Sequence, residues 1–212
     1  MYNFFSFALV SFILFSCGNR AEPTTAPPTI ANTQTITPAI KPVEERENPY
    51  VPVDVSPMDM SYFPADYPKL KMAKKTTSPP LARVVYSRPH LQGRHIFHEL
   101  LKYGEPWRLG ANECTEIEFF KPAIIQGKKI KAGRYIIYCI PQEDKWTIVL
   151  NSNIDCWCYL IDQTKDVARF DVSVTKTNNS LEYFTMLFQT ISKGCSLLIA
   201  WDDVEVRMPI QF

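Results

Sequence analysis

Three observations predict an all-β domain, an antiparallel β-sandwich of jelly-roll or immunoglobulin-like type with about eight strands and one short helix. From residue 81 onward, short segments rich in Val, Ile, Tyr, Phe and Trp follow one another, some fully apolar and some alternating. Turn signals recur every ~8–15 residues, the spacing of an antiparallel sandwich or barrel rather than of alternating βαβ units. The apolar fraction, 46% of 212 residues, is enough for the core of one ordinary domain.

In order, "LARVVYS" (Leu81–Ser87) reads as the first strong strand. "IFHELLKYG" (Ile96–Gly104) is the one helical stretch, with Ile96, Leu100 and Tyr103 on one face and Gly104 as its stop. "TEIEFF" alternates Thr115, Ile117 and Phe119 against Glu116 and Glu118. Gly127 and Gly133 flank a hairpin-like turn in "QGKKIKAG". "RYIIYCIP" is apolar on both faces and stops at Pro141, which has no N–H for a ladder. "KWTIVLN" follows the polar "QED" turn, "ARFDVSVTK" alternates Phe170, Val172 and Val174 against Arg169, Asp171 and Ser173, and "LEYFTMLFQTI" comes next. "CSLLIAWDDVEVRMPIQF" is long enough for two strands or one bent strand.

The chain before this domain has three parts. Residues 1–16 read as a signal peptide: Phe4 to Phe15 is apolar and uncharged, well short of the ~20 residues of a membrane helix. It ends in "LFSC", which resembles a bacterial lipobox and implies thioether-linked lipid on Cys17 as the new N-terminus, although no Lys or Arg precedes the apolar core. Residues 17–49 form a Pro/Thr-rich tether that cannot bury enough surface to fold. Residues 50–80, with aromatics and methionines among prolines, read as an ordered arm lying over the domain, without regular structure, and an exposed loop. Residues 81–212 are the sandwich itself. The expected setting is the cell envelope, lipid-anchored at the outer membrane or periplasmic face, with the membrane as one partner.

The net charge of +1, with signs mixed throughout, offers no basic face for nucleic acid. The chemistry-bearing stretch is "WRLGANE" with its arginine neighbours: Arg88, Arg94, Trp107, Arg108, Asn112 and Glu113. Arginine forks bind carboxylate or phosphate, and Trp offers a flat face. Converging in a cleft, these residues would hold a small ligand or glycan. The structural reading makes them a lock: Arg108 pairs with Glu113, Asn112 takes a left-handed position, and Trp107 plugs one end of the sandwich.

Other candidates carry less. His90, His95 and His98, with Glu99, lack the i, i+4 pair of a zincin helix and read as surface histidines. Glu116 and Glu118 share a strand face and read as solvated. "DQTKD" and "WDD" lack Ca²⁺-loop spacing. No GxSxG elbow or acid–base pair marks a catalytic residue, and no cofactor or metal is implied. With Cys17 lipidated, five cysteines remain (Cys114, Cys139, Cys156, Cys158, Cys195), an odd number that leaves at least one unpaired. Most read as buried small hydrophobes, with one disulfide as the alternative.

Five separated motifs, "ARVVYSRPHLQGRHIF", "YGEPWRLGANECTEIEFF", "KAGRYIIYCIP", "KWTIVLNS" and "AWDDVEVRMPI", resemble in order and spacing the bacterial domain of unknown function 2911. "SPMDMSYFPADYP" resembles the start of that domain in its lipoprotein members, so the resemblance covers about residues 54–212. It implies a secreted or lipid-anchored β-rich domain with no established activity. Two departures, Cys114 where the family has Ala and "CWC" where Gly follows the Trp, read as packing variation. The functional expectation is a non-enzymatic binding or structural module whose partner is a small ligand, glycan or envelope protein. The alternative is an envelope hydrolase of glycans or esters built on the Arg/Asn/Glu cluster.

Overall fold

The computed structural model describes residues 50–52 and 54–212, apart from the side chain of His98. The expected leader, Cys17 and the expected tether lie outside the described residues.

The expected all-β class holds. Among the described residues nine strands form in chain order: β1 (Met58–Phe63), β2 (Ala82–Ser87), β3 (Glu116–Phe119), β4 (Ala123–Ile125), β5 (Lys128–Ile130), β6 (Gly133–Pro141), β7 (Lys145–Asn151), β8 (Asp166–Ile191) and β9 (Gly194–Ile210). Seven make one sheet in the order β1-β2-β3-β6-β7-β8-β9, antiparallel throughout, and β4-β5 is a small hairpin. The sheet curls on itself. The Phe184 N–H donates to Pro89 O at 2.9 Å, and the Leu91 N–H to Glu182 O at 3.0 Å, joining the interior of β8 to the segment after β2. The Phe188 N–H donates to Ser61 Oγ of β1 at 3.3 Å.

The core fills the inside of this curl because alternation aims every second side chain inward. Ile117 and Phe119 of β3, Trp146, Ile148 and Leu150 of β7, and Phe170 and Val172 of β8 are all buried. At one end Trp107, Trp146, Phe184 and Trp201 pack ring against ring. Near the other end Phe63 meets Phe188 and Phe212. β6 is buried on both faces, as its unbroken apolar run requires.

Three expectations change. The segment 50–80 is not an irregular arm: Met58–Phe63 pairs residue for residue with β2, and Tyr67–Met72 is the short α-helix, α1, with Pro68 in its first turn and no buried residue. The helix expected over 96–104 shrinks to a single π-helical turn, Ile96–Leu100, closed by the Leu101 N–H on Ile96 O at 2.8 Å. Beyond it the backbone is recruited by β6. Gly104 N–H donates to Pro141 O at 2.8 Å, and Trp107 exchanges bonds with Cys139 at 2.7 and 2.9 Å, so sheet pairing outcompetes the helix. "ARFDVSVTK" and "LEYFTMLFQTI" are one 26-residue strand, β8, whose register with β9 shifts between Lys176 and Thr185. β9 is the single bent strand, with Asp202 at φ 52 beside that shift.

Candidate functional site

The loop from Leu101 to Thr115 crosses the aromatic end of the curled sheet. Trp107 is held by its backbone bonds to Cys139, and its ring is buried against Trp146, Phe184 and Trp201, with centroids 5.0–5.8 Å away. After it the chain turns through Leu109 (φ 54), Gly110 (φ 155) and Asn112 (φ 58). Gly110 is required twice over: its φ disfavours a side chain, and a Cβ there would sit 2.7 Å from Ser87 Oγ. Ser87 and Thr115 are fully buried. Ser87 Oγ accepts the Ala111 N–H at 2.6 Å and also donates to the Ala111 carbonyl. Thr115 Oγ1 donates to Leu109 O at 2.5 Å, and Trp107 Nε1–H donates to Gly110 O at 3.2 Å. The turn's backbone is thus satisfied by neutral groups.

Of the expected lock, Trp107 is the plug and Asn112 takes the left-handed position, its amide donating to Asp54 Oδ2 at 2.9 Å. The Arg108–Glu113 ion pair is not formed. Glu113 is exposed and, among the described residues, makes no ion pair, whereas the Arg108 guanidinium lies 4.5 Å from the centre of the Tyr159 ring. The left-handed turn between them separates their side chains, and an aromatic face takes the place of the carboxylate. Arg108 Nε is buried with no hydrogen-bond partner.

The other arginines separate. Arg88 pairs with Asp59 at 3.3 Å, donates to Phe184 O at 3.3 Å and lies over Tyr183, so it joins β1 to β8. Arg94 folds onto its own loop, donating to Leu91 O at 2.8 Å and His90 O at 3.3 Å, and has no carboxylate partner among the described residues. Arg94, Trp107 and Arg108 come together, with Trp201, His90 and Gln92, around a cleft of about 340 Å³ whose remaining walls include Leu100 and Leu101. No Asp or Glu lines it. Ser87 and Thr115 were legible as strand residues but not as anchors of this turn. The signal was present: each is a small hydroxyl residue at the end of an apolar strand segment facing a long loop.

The remaining candidates are structural. Glu118 pairs with Arg83 at 2.6 Å and Glu116 with Arg134 at 3.3 Å, so the two glutamates are engaged across strands. His90 stacks on Tyr183 and lies 3.5 Å from Glu182, while His95 lies 3.4 Å from Asp202, on a different face of the aromatic end. In "DQTKD", Asp162 accepts the Thr164 N–H and Asp166 accepts from Tyr138, Asn151 and Arg169. In "WDD", Asp202 is buried. Burial pushes its carboxyl upward, but bonds from Ser180 Oγ at 2.8 Å, the Ile96 N–H at 3.2 Å and His95 outweigh it and hold it below the usual range.

The cysteines give the largest correction. Cys114 and Cys158 form a disulfide across 44 residues, so the two departures from the family pattern are a covalent pair and not packing variation. Cys156 Sγ lies 3.3 Å from Cys158 Sγ and 3.7 Å from Cys114 Sγ. Cys139 and Cys195 are buried free thiols, as expected of small core residues, and burial pushes the Cys195 thiol up to about 12. Among the described residues no helix is long and apolar enough to cross a membrane.

No curated protein matches the chain, and no solved structure does. A family model does, over residues 68–210, a run that begins inside α1 and takes in every strand from β2 to β9. By that match the chain belongs to the family described as protein of unknown function (DUF2911).

Proposed function

We propose that this domain is a non-enzymatic binding module, held at the cell envelope by lipid on Cys17, and that its cleft takes a small anionic ligand with a flat apolar body. The observation that carries the reading is the cleft's charge: Arg94 and Arg108 both line it, neither has a carboxylate partner among the described residues, and no acid stands in the wall. A guanidinium without a counter-charge, with one buried N–H unbonded, is a ready donor to carboxylate or phosphate. Trp107 and Trp201 supply apolar area beside it, and about 340 Å³ lies in the range of small-molecule sites. Glycoside chemistry needs two carboxylates about 5–10 Å apart; Glu113 lies outside the cleft lining, which supports binding over hydrolysis. The anchor rests on "LFSC" after a short apolar core, with the Pro/Thr-rich segment as spacer.

Two experiments test this. Phenyl phosphate is expected to raise the melting temperature saturably and phenol is not, and Arg108→Ala is expected to abolish the rise; no rise with phenyl phosphate overturns the ligand class. Cys17→Ser is expected to abolish labelling by a fatty-acid analogue and to release the protein from membranes. Equal membrane retention of both forms overturns the anchor.

A further inference from the structure

We infer that Cys114, Cys156 and Cys158, when reduced, form a three-thiolate site for one Cu(I) ion, which the Cys114–Cys158 disulfide closes.

Topology brings the three together. β3 and β7 flank β6, and Glu116, Ile136 and Asn151 lie in one row across the sheet. The loop entering β3, with Cys114, and the loop leaving β7, with "CWC", therefore emerge at the same sheet end. Among the described residues these sulfurs are the one group of three metal-ligating atoms within reach of a single ion, all within 4.8 Å of one another. An ion bonded to sulfur at ~2.3 Å holds its ligands about 3.8–4.0 Å apart. Two edges of the triangle, 3.3 and 3.7 Å, are already near that separation, and the third is shortened only by the disulfide bond.

Thiol–disulfide exchange is the competing use of such a cluster, and the geometry disfavours it. An attacking sulfur stands in line behind the one it attacks, so its distances to the two bonded sulfurs differ by about a bond length, ~2 Å. The two distances from Cys156 differ by 3.7 − 3.3 = 0.4 Å, which places it beside the bond. Thiolates select soft cations, Cu(I) and Zn(II) among them. Structural zinc takes four ligands, and here the group has three, a set that suits three-coordinate Cu(I).

Opening the site requires a dithiol reductant. It becomes a disulfide, giving two electrons and two protons, and Cys114 and Cys158 each gain one of each. Cu(I) then replaces the three thiol protons, which pass to solvent, and the copper stays in its +1 state.

The test uses the full chain, reduced anaerobically with dithiothreitol, freed of it, and titrated with Cu(I) against the chromophoric chelator bicinchoninate. Expected are one Cu(I) retained per chain, none retained by the disulfide form, and at least tenfold weaker retention in Cys156→Ser and Cys114→Ser. Cys17→Ala, outside the cluster, is expected to bind as the wild type does. Far-ultraviolet circular dichroism checks that the reduced chain keeps its sheet. Loss of the β spectrum on reduction overturns the site, because only the fold joins the two loops. Failure of the folded reduced chain to hold Cu(I), equal retention by the disulfide form or by Cys156→Ser, or preference for Zn(II) over Cu(I) also overturns it.

Discussion

Ser87 Oγ holds both backbone groups of Ala111, accepting its N–H at 2.6 Å and donating to its carbonyl. One buried hydroxyl at the end of β2 thereby ties down the turn that carries Trp107 and Arg108. Position 87 is a strand end in sequence and the fixing point of the site in space.

Ser87→Ala takes their partner from the half-buried Ala111 N–H and carbonyl. The expected loss is about 1–3 kcal/mol, because two hydrogen bonds worth about 0.5–1.5 kcal/mol each are removed. Chemical denaturation of the variant against wild type measures it. Gly110→Ala is expected to cost more, since it adds a clash with the same hydroxyl to an unfavourable φ. A wild-type midpoint for Ser87→Ala would show that the turn holds itself.

Arg108→Ala and Glu113→Ala separate the two kinds of lock. A buried ion pair would make either change cost about 3–5 kcal/mol. With Arg108 over Tyr159 instead, its removal is expected to cost only about 0.5–1 kcal/mol, and Glu113→Ala to leave the denaturation midpoint in place. A large loss in both variants would restore the ion pair.

Asp202 makes stability pH-dependent in a fixed direction. Its carboxyl is held below the usual range in the folded state, despite burial, by Ser180, the Ile96 N–H and His95. The stabilisation is therefore fully present above the unfolded value of about 3.9, and is lost as pH falls through the lower folded value. Asp202→Asn keeps a residue that tolerates φ 52 but removes the charge. It is expected to lose about 1–3 kcal/mol at neutral pH, with the gap to wild type narrowing below pH ~4. A gap that stays constant to low pH would contradict the assignment.

Removing β1 exposes the β2 edge and takes away Phe63, which packs on Phe188 and Phe212. A chain starting near Tyr50 is expected to melt as the full chain does, and one starting at Leu81 to melt several degrees lower. That range follows from the loss of about 1 kcal/mol or more in a domain of this size, where each kcal/mol moves the transition by roughly 2–4 °C. Identical melting of all three chains would mean that β1 adds nothing to the fold.

The β class, most strand positions and the antiparallel pairing were legible in the sequence because alternation and turn residues are local signals. Trp107, Gly110 and Asn112 were legible as a turn and its plug for the same reason: size and φ preference belong to single residues. Three things were decided only by tertiary structure. The pairing of Met58–Phe63 with β2 and of the chain around Trp107 with β6 overrode a Pro-rich composition and a helical pattern, because ladder bonds to a neighbour outweigh weak local propensity. The partner of Arg108 was settled by which face the chain presented after two left-handed residues, which no spacing rule encodes. Cys114 and Cys158, 44 residues apart, became neighbours with Cys156 only because β3 and β7 sit on either side of β6, and strand order is a property of the sheet, not of either loop.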